Sequence, residues 1–195
     1  GIYKVTKGEE SAEGSVEYTV EIPGRYDGEG ANAKPTVIPE LAEWYGGESA
    51  GSFSVGNDAG VYAPADFSEA AEAFVEDYNA ETGAELKIVS DASAAAIVFE
   101  KDSENGLGEE GYIMDIGSDK LTVKADHNTG AYWATRSILQ ITELNDGKIP
   151  TGITKDYPKY EVRGFMLDVA RKPVSMETLQ DIAKEMAYYL SLIHI

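Results

Sequence analysis

The clearest pattern along the chain is a helical one that begins at Phe67. Apolar side chains recur there three and four positions apart, which places them on one face of an α-helix. Asp66 followed by Glu69 is typical of a helix N-cap, and Gly83 is typical of a helix C-terminus. This face is expected to lie on a hydrophobic core, and its members are Phe67, Ala70, Ala71, Phe74, Val75 and Tyr78.

Short apolar runs on either side of this helix predict strands. Residues 85–90 and 95–100 are rich in β-branched side chains. Residues 111–116 and 120–125 flank a Gly-Ser-Asp turn, and their alternation predicts an antiparallel hairpin. Residues 34–44 read KPTVIPELAEW. They are expected to include the first strand of the folded domain.

A second helix is predicted to run from Asn128, as its N-cap, to about Leu144. The Asn-Asp-Gly sequence at residues 145–147 is expected to end it. The order strand, helix, strands, hairpin, helix predicts an α+β fold with a mainly antiparallel sheet and two helices. The buried side of the second helix is expected to carry Ile138, Leu139 and Ile141.

Residues 160–169, YEVRGFMLDV, form another apolar run that predicts a strand. A loop with Arg171, Lys172 and Pro173 follows, and Ser175 is placed to cap a third helix. Strand, loop and helix make one βα unit. If this unit opens a (β/α)8 barrel, the barrel is only begun, because few residues follow Gly164 whereas a barrel takes about 250. The apolar side of the third helix is expected to carry Met176, Leu179, Ile182, Ala183 and Met186.

Residues 1–33 differ in composition from the rest of the chain. They are rich in Gly, Glu and Ser, with one alternating run at residues 15–22 that could form a strand. We interpret them as a linker or as the tail of an upstream module.

The charge of the chain excludes two classes of partner. The sequence has 16 Lys and Arg against 35 Asp and Glu, a formal net charge of −19. Nucleic acids and anionic membrane surfaces both need a cationic face, so neither is an expected partner. No apolar run approaches the roughly 20 residues that a membrane span requires.

The residue types also limit the chemistry. There is no cysteine, and His127 and His194 are the two histidines. A zinc site or a Ser-His-Asp triad would have to be built around one of them, which disfavours both. The acidic runs contain no Asp-x-Asp-x-Asp-Gly calcium loop, so no metal or cofactor is expected. His127 is expected to serve a turn or cap, and Trp44, Tyr45, Tyr132 and Trp133 are expected to be core residues rather than a sugar-stacking platform.

Three segments together resemble glycoside hydrolase family 20, the β-N-acetylhexosaminidases. They are KPTVIPELAEWYGGESAGSF, GLGEEGYIMDIGSDKLTVKADHNTGAYWATRSILQI and KIPTGITKDYPKYEVRGFMLDVARKPVSMETLQDIAKEMAYY. The most specific features of the resemblance lie in one short stretch of the third segment: Asp156-Tyr157-Pro158, Arg163-Gly164, Met166-Leu167-Asp168 and Arg171.

The resemblance implies a small α+β domain at residues 34–155 and the truncated start of a TIM-barrel catalytic domain at residues 156–195. The parent protein is expected to remove terminal β-linked N-acetylglucosamine or N-acetylgalactosamine from glycans. In this family the acetamido group of the substrate acts as the nucleophile. A gut bacterial lacto-N-biosidase is a second possibility within the family. From another class, a non-catalytic carbohydrate-binding or spacer module is the alternative, although such a module would have no use for the strand that begins near residue 162.

The resemblance assigns one substrate-binding residue, Arg171. It matches the arginine that hydrogen-bonds the 3- and 4-hydroxyls of the terminal sugar. Arg163 and Asp168 match the same motif and are expected to be structural. The family's catalytic Asp-Glu pair is expected beyond this sequence, since Glu9-Glu10 and Glu109-Glu110 do not match it. The 195 residues are therefore expected to be inactive.

Residues 190–195, LSLIHI, depart from the family pattern. They are either extraneous sequence or a divergent second strand that contains His194. The resemblance also implies a protein that is secreted or held at the bacterial cell surface.

Overall fold

The computed structural model describes residues 2–7, 10–15, 30–169, 173–189 and 192–193. In these described residues short strands make up most of the elements, and three α-helices lie among them. In chain order the elements are β1 (Ile2–Lys7), β2 (Glu10–Ser15), β3 (Glu43–Tyr45), β4 (Ser52–Ser54), β5 (Gly60–Tyr62), α1 (Ser68–Thr82), β6 (Lys87–Ile88), β7 (Ile97–Lys101), β8 (Tyr112–Ile116), β9 (Leu121–Ala125), α2 (Asn128–Leu144), β10 (Lys148–Pro150), β11 (Gly152–Asp156), β12 (Gly164–Phe165), α3 (Met176–Tyr188) and β13 (Leu192–Ile193).

Seven strands form one sheet in the order β3-β11-β8-β9-β7-β5-β6. The pairs from β3 to β9 are antiparallel, and the pairs from β9 to β6 are parallel. The α+β class is confirmed, but the prediction of a mainly antiparallel sheet is wrong for half of its pairs. The connections explain this. The chain crosses over through α1 between β5 and β6, so these two strands run parallel. After β7 the chain passes the position beside β7 and forms β8 first. It then returns antiparallel as β9, which therefore runs parallel to β7.

The predicted hairpin is present as β8 and β9. Tyr112 lies opposite Ala125 and Ile116 opposite Leu121, and the N–H of Gly117 donates to the carbonyl oxygen of Lys120 at 2.9 Å. Every second side chain in each strand is buried, so one face of the sheet lies on the core. The strands predicted on residues 85–90 and 95–100 are also present, the first only as the two residues of β6.

Helix α1 confirms the predicted apolar face, but its N-cap differs from the prediction. A 3-10 turn over Ala65–Phe67 precedes the helix, so Asp66 lies in this turn and Phe67 occupies the cap position without a side-chain hydrogen bond. The carboxylate of Asp66 instead pairs with Lys101 at 2.8 Å. Gly83 ends the helix in the left-handed conformation, at φ 73°, as predicted.

Helix α2 has the predicted length, and Ile138, Leu139 and Ile141 are buried in it. Its N-cap is His127 rather than Asn128, and the His127 side chain makes no capping hydrogen bond. The prediction that Asn128 caps α2 is wrong, because its side-chain oxygen accepts from the N–H of Ala70 in the first turn of α1, at 3.2 Å. The two helices pack against each other and against the sheet.

The first strand of the sheet begins later than predicted. Residues 34–42 form no strand, and β3 covers Glu43–Tyr45. Pro35 and Pro39 lack the N–H that a ladder requires, which explains why this segment does not pair. The side chain of Gln140 hydrogen-bonds both the N–H and the carbonyl of Ile38 instead, at 2.8 and 3.0 Å. The predicted strand at residues 15–22 lies largely outside the described residues, of which Ser15 ends β2.

The strand predicted at residues 160–169 is limited to β12, Gly164–Phe165. Within the described residues it pairs in parallel with β13, Gly164 with Leu192 and Phe165 with Ile193. Helix α3 follows, and Ser175 caps it as predicted by accepting from the N–H of Thr178 at 3.1 Å. No residue of α3 is buried, so its apolar side is only partly covered.

Candidate functional site

Arg171, which the sequence predicts to bind the sugar, lies outside the described residues. Residues 170 and 172 and His194 also lie outside them. The structure describes the segments on both sides of this loop. Before it comes the chain from Tyr157 to Val169, which includes β12, and after it comes Pro173, followed by α3. Residues 170–172 therefore connect the segment after β12 to the N-terminus of α3 in the sequence.

Arg163 connects the segment before residues 170–172 to the α+β layer, which consists of the seven-stranded sheet, α1 and α2. Its Nη2 donates to Oε2 of Glu110 in a close ion pair, and its Nη1 donates to the carbonyl oxygen of Tyr160 at 2.8 Å. The side chains of Arg163 and Glu110 are 16% and 24% exposed, so solvent screens this pair less than an ion pair at the open surface. The arrangement fits the structural role expected for Arg163. Asp168, the other motif residue, is exposed.

Glu110 is positioned by the start of α2. Its Oε2 also accepts from the indole Nε1 of Trp133 at 3.1 Å, and the N–H of Gly130 donates to the carbonyl of Glu109 at 3.2 Å. A Cβ on Gly130 would lie 2.4 Å from the carbonyl oxygen of Gly111, so only glycine allows the loop to approach the helix this closely. Glu110 therefore accepts hydrogen bonds from both Trp133 and Arg163. The sequence analysis did not predict this arrangement.

The sequence analysis also did not predict a second hydrogen-bonded group, which lies at the end of β11. The carboxylate of Asp156 is buried and accepts from the Tyr112 hydroxyl at 2.7 Å and from the N–H of Ala42 at 2.9 Å. Burial raises the pKa of Asp156, and the hydrogen bonds from Tyr112, Ala42 and Tyr157 oppose this shift. Burial likewise raises the pKa of Tyr112 well above its ordinary value. These hydrogen bonds connect β11 to β8 and to the residue before β3, just before the chain leaves the sheet.

A cavity of about 1140 Å³ lies among α1, α2 and α3. Arg136 lines it, with Nη1 donating to Asp77 at 2.5 Å and the guanidinium 4.6 Å above the ring centre of Tyr132. Burial and the carboxylates of Glu81 and Glu143 raise the pKa of Tyr188, which also lines the cavity. None of residues 157–169 belongs to the lining, so this cavity is separate from the segment before Arg171.

The predicted role of the aromatic residues is confirmed for the two tryptophans. Trp44 and Trp133 are buried in the core, and each indole N–H has an acceptor inside the domain: the carbonyl of Asn32 and the carboxylate of Glu110. Within the described residues there is no group of three or more His, Cys, Asp or Glu side chains placed to hold a metal ion. None of the helices in the described part of the chain is long and apolar enough to cross a membrane.

Residues 34–157 match the family described as glycosyl hydrolase family 20, domain 2. The match covers more than half of the chain. The chain belongs to glycosyl hydrolase family 20. The part that matches contains the seven-stranded sheet, α1 and α2, so the family 20 domain is the α+β layer described above, while the segment with Arg163 and the flanks of Arg171 follows it.

Curated relatives of this family 20 chain are glycosidases. It is 22% identical over 157 residues to the lacto-N-biosidase of Bifidobacterium bifidum, a match that covers 79% of this chain and 14% of the relative. It is 29% identical over 143 residues to the N,N'-diacetylchitobiase of Vibrio harveyi, which covers 70% of this chain and 16% of that enzyme. The chain thus spans about a sixth or less of the length of these two relatives.

Solved structures agree on the fold. The N-acetyl-β-hexosaminidase of Streptomyces plicatus superposes with a TM-score of 0.69 at 23% identity, over 84% of this chain and 35% of that one. The exo-β-N-acetylglucosaminidase of Vibrio harveyi gives a TM-score of 0.67 at 20% identity, over 95% of this chain and 30% of that one. Both likenesses establish the α+β architecture of the family 20 domain.

Proposed function

We propose that this chain is the front part of a β-N-acetylhexosaminidase that hydrolyses terminal β-linked N-acetylglucosamine or N-acetylgalactosamine from glycans. The observation that carries the proposal is the continuity of the chain. The family 20 domain at residues 34–157 runs directly into the series Arg163-Gly164, Met166-Leu167-Asp168 and Arg171, which resembles the family's first barrel strand and the sugar-binding arginine that follows it. A carbohydrate-binding or spacer module would not need this second segment.

We further propose that residues 156–195 begin a (β/α)8 barrel. The parallel pairing of β12 with β13 across α3 supports this, since strand, helix and parallel strand form the repeating unit of such a barrel. The apolar side chains left exposed after the α+β layer, including Val162, Phe165 and Met166, also suit a strand whose two faces become covered as a barrel closes.

In the proposed mechanism the acetamido oxygen of the substrate attacks the anomeric carbon, and an Asp-Glu pair orients the acetamide and transfers the proton. The sequence contains no Asp followed directly by Glu. We therefore propose that the 195 residues are inactive on their own. Arg171 follows β12, where barrel active sites are built, and its planar guanidinium can reach two vicinal hydroxyls of the terminal sugar at once.

Hydrolysis of aryl N-acetyl-β-glucosaminides tests this proposal. The complete gene product is expected to release the aryl group, whereas the 195-residue chain is expected to show no turnover above a mock purification from the same host. Turnover by the 195-residue chain would overturn the proposed inactivity. Absence of turnover by a folded, complete gene product would overturn the hexosaminidase proposal.

A lacto-N-biosidase is the second candidate, because the chain aligns with such an enzyme over 79% of its length. Release of lacto-N-biose from its aryl glycoside, with no release of N-acetylglucosamine from the monosaccharide glycoside, would favour this candidate. For the first candidate the substrate is a glycan with a terminal N-acetylhexosamine unit. For either candidate we propose a secreted or cell-surface location.

A further inference from the structure

Arg136 carries a buried guanidinium whose hydrogen-bonding capacity is only partly used. The residue is 4% exposed. Its Nη1 donates to the carboxylate of Asp77 at 2.5 Å, and its Nε donates to the hydroxyl of Thr135 at 3.1 Å. Its Nη2 is buried and has no hydrogen-bond partner among the described residues. A buried donor without an acceptor costs free energy, and the cost is greater when the group is charged.

The cavity among α1, α2 and α3 is the side from which an acceptor outside the protein can approach Arg136. Arg136 lines this cavity together with Tyr132, and the guanidinium lies 4.6 Å above the centre of the Tyr132 ring. The ring and the carboxylate of Asp77 hold the guanidinium in place. A donor fixed in this way can orient a ligand, as the few polar groups of a binding pocket do.

The charge of the lining narrows the chemistry of the ligand. Among the described residues that line the cavity, five side chains are acidic and two, Arg136 and Lys184, are cationic. Burial raises the pKa of Glu81, and the negative charges of Asp77 and Glu143 add to this shift. An anion would be repelled by this excess of negative charge, and a simple cation has no lone pair to accept from Nη2. The ligand that fits is neutral and carries both hydroxyl donors and oxygen acceptors.

Tyrosine side chains supply apolar surface in the cavity. Tyr132 is half-buried, and the rings of Tyr188 and Tyr189 meet edge to face with their centres 5.2 Å apart. Burial raises the pKa of Tyr188, and the carboxylates of Glu81 and Glu143 add to the shift, so its hydroxyl stays neutral and can both donate and accept. The volume of about 1140 Å³ exceeds the roughly 300–1,000 Å³ usual for a small-molecule pocket. A ligand of several linked rings therefore has room.

We propose that this cavity is a binding site for a neutral oligosaccharide. Nη2 of Arg136 donates to a hydroxyl or carbonyl oxygen of the sugar. The carboxylates of Glu81 and Glu143 accept from its hydroxyls, and the apolar face of a sugar ring packs against Tyr188. The inference goes beyond the proposed hydrolysis, because binding here requires no reaction. Every residue that carries it lies in the described part of the chain.

Isothermal titration calorimetry on the 195-residue chain tests the proposed binding. The probe is the β-1,4-linked tetramer of N-acetylglucosamine, which is neutral and carries hydroxyl and carbonyl oxygens. We expect saturable binding whose Kd changes less than about twofold between roughly 0.05 and 0.5 M NaCl, because salt screens charges and this ligand has none. The same tetramer without its acetyl groups is cationic, and inorganic sulfate is an anion. Tighter binding of either charged probe, or no binding of the neutral tetramer, would overturn the inference.

Two substitutions connect the binding to the cavity. Arg136→Met removes the donors at a similar side-chain length and should weaken tetramer binding about tenfold or more, because hydrogen bonds from a charged group are strong. Glu143→Gln removes the charge of one acceptor at an exposed residue, so the fold is expected to tolerate it. It should weaken binding about threefold or more. Glu104→Gln makes the same change at an exposed residue outside the lining and should leave Kd unchanged.

Circular dichroism establishes which variants are folded. If Arg136→Met does not fold, Glu143→Gln decides the question alone. If the folded variants bind the tetramer as tightly as the wild type, the sugar binds elsewhere and the inference is wrong. Hydrolysis by the complete gene product does not enter this experiment. The proposed function can therefore fail while this binding site is confirmed, or hold while the site is refuted.

Discussion

The side-chain oxygen of Asn128 accepts a hydrogen bond from the N–H of Ala70, 3.2 Å away. Asn128 is the first residue of α2, while Ala70 lies in the first turn of α1. The first N–H groups of a helix have no partner within that helix. Asn128 thus satisfies one such donor of the neighbouring helix and joins the two helices at their N-terminal ends.

Replacing this acceptor should destabilise the domain. Asn128→Ala is expected to lower the free energy of unfolding by about 1 kcal/mol, the usual effect of removing a capping side chain. Urea denaturation followed by circular dichroism measures this change. His127→Ala is the matched control, because His127 occupies the N-cap of α2 without a side-chain capping bond. Equal stability of Asn128→Ala and the wild type would show that the bond to Ala70 contributes nothing.

Gly130 offers a test of the contact between the Glu110 loop and α2. The Cβ of Gly130→Ala would stand 2.4 Å from the carbonyl oxygen of Gly111, and a backbone atom can move away only if the loop moves. We expect a loss of about 1–3 kcal/mol in stability, the cost typical of overpacking. At Gly56 a Cβ meets nothing within 4 Å, so Gly56→Ala serves as the control and should be neutral or slightly stabilising. Similar stabilities of the two variants would contradict the close packing at Gly130.

Asp156 should make stability depend on pH in an unusual direction for a carboxylate. Burial raises its pKa in the folded protein above the ordinary value of 3.8, so the folded state binds the proton more tightly than the unfolded state. The contribution of Asp156 is therefore full below pH 3.8 and is lost as the pH rises through the folded pKa. Asp156→Asn removes this titration.

The measurement is the difference in unfolding free energy between the wild type and Asp156→Asn at a series of pH values. The stability of the wild type relative to Asp156→Asn should decrease as the pH rises above about 4. It should stop changing once Asp156 is ionised in both the folded and the unfolded state. Because the other carboxylates are common to both proteins, their titration cancels. A difference that grows in favour of the wild type over this range would mean that the hydrogen bonds from Tyr112 and Ala42 outweigh burial.

Elements encoded by local pattern could be predicted from the sequence. The apolar face of α1, the hairpin of β8 and β9, the extent of α2 and the Ser175 cap of α3 each depend on residues within one or two turns of one another. Their predictions hold because helix and strand periodicity and capping are local effects. The left-handed Gly83 at the end of α1 belongs to the same class.

Features that depend on distant residues could not be predicted in this way. Asn128 has the sequence context of an ordinary N-cap. Its side-chain oxygen nevertheless accepts from the N–H of Ala70 in α1, because the fold places the start of α1 beside it. The parallel half of the sheet follows from where the loops cross, and Glu110 gains its two donors from residues 23 and 53 positions away. Arg171 was assigned from a family resemblance, and its role in sugar binding stays a prediction.

Substitution of Arg171 in the complete gene product is the sharpest test of the proposed sugar-binding function. Arg171→Ala removes charged donors, each worth about 1.5–3 kcal/mol, so kcat/KM for an aryl N-acetyl-β-hexosaminide should fall at least tenfold. Arg171→Lys should recover little, because an ammonium cannot span two hydroxyls. The decisive comparison is with the 3- and 4-deoxy substrates, against which the Ala variant should discriminate much less than the wild type. Equal discrimination by the wild type and a folded Ala variant would contradict the assignment of Arg171 to sugar binding.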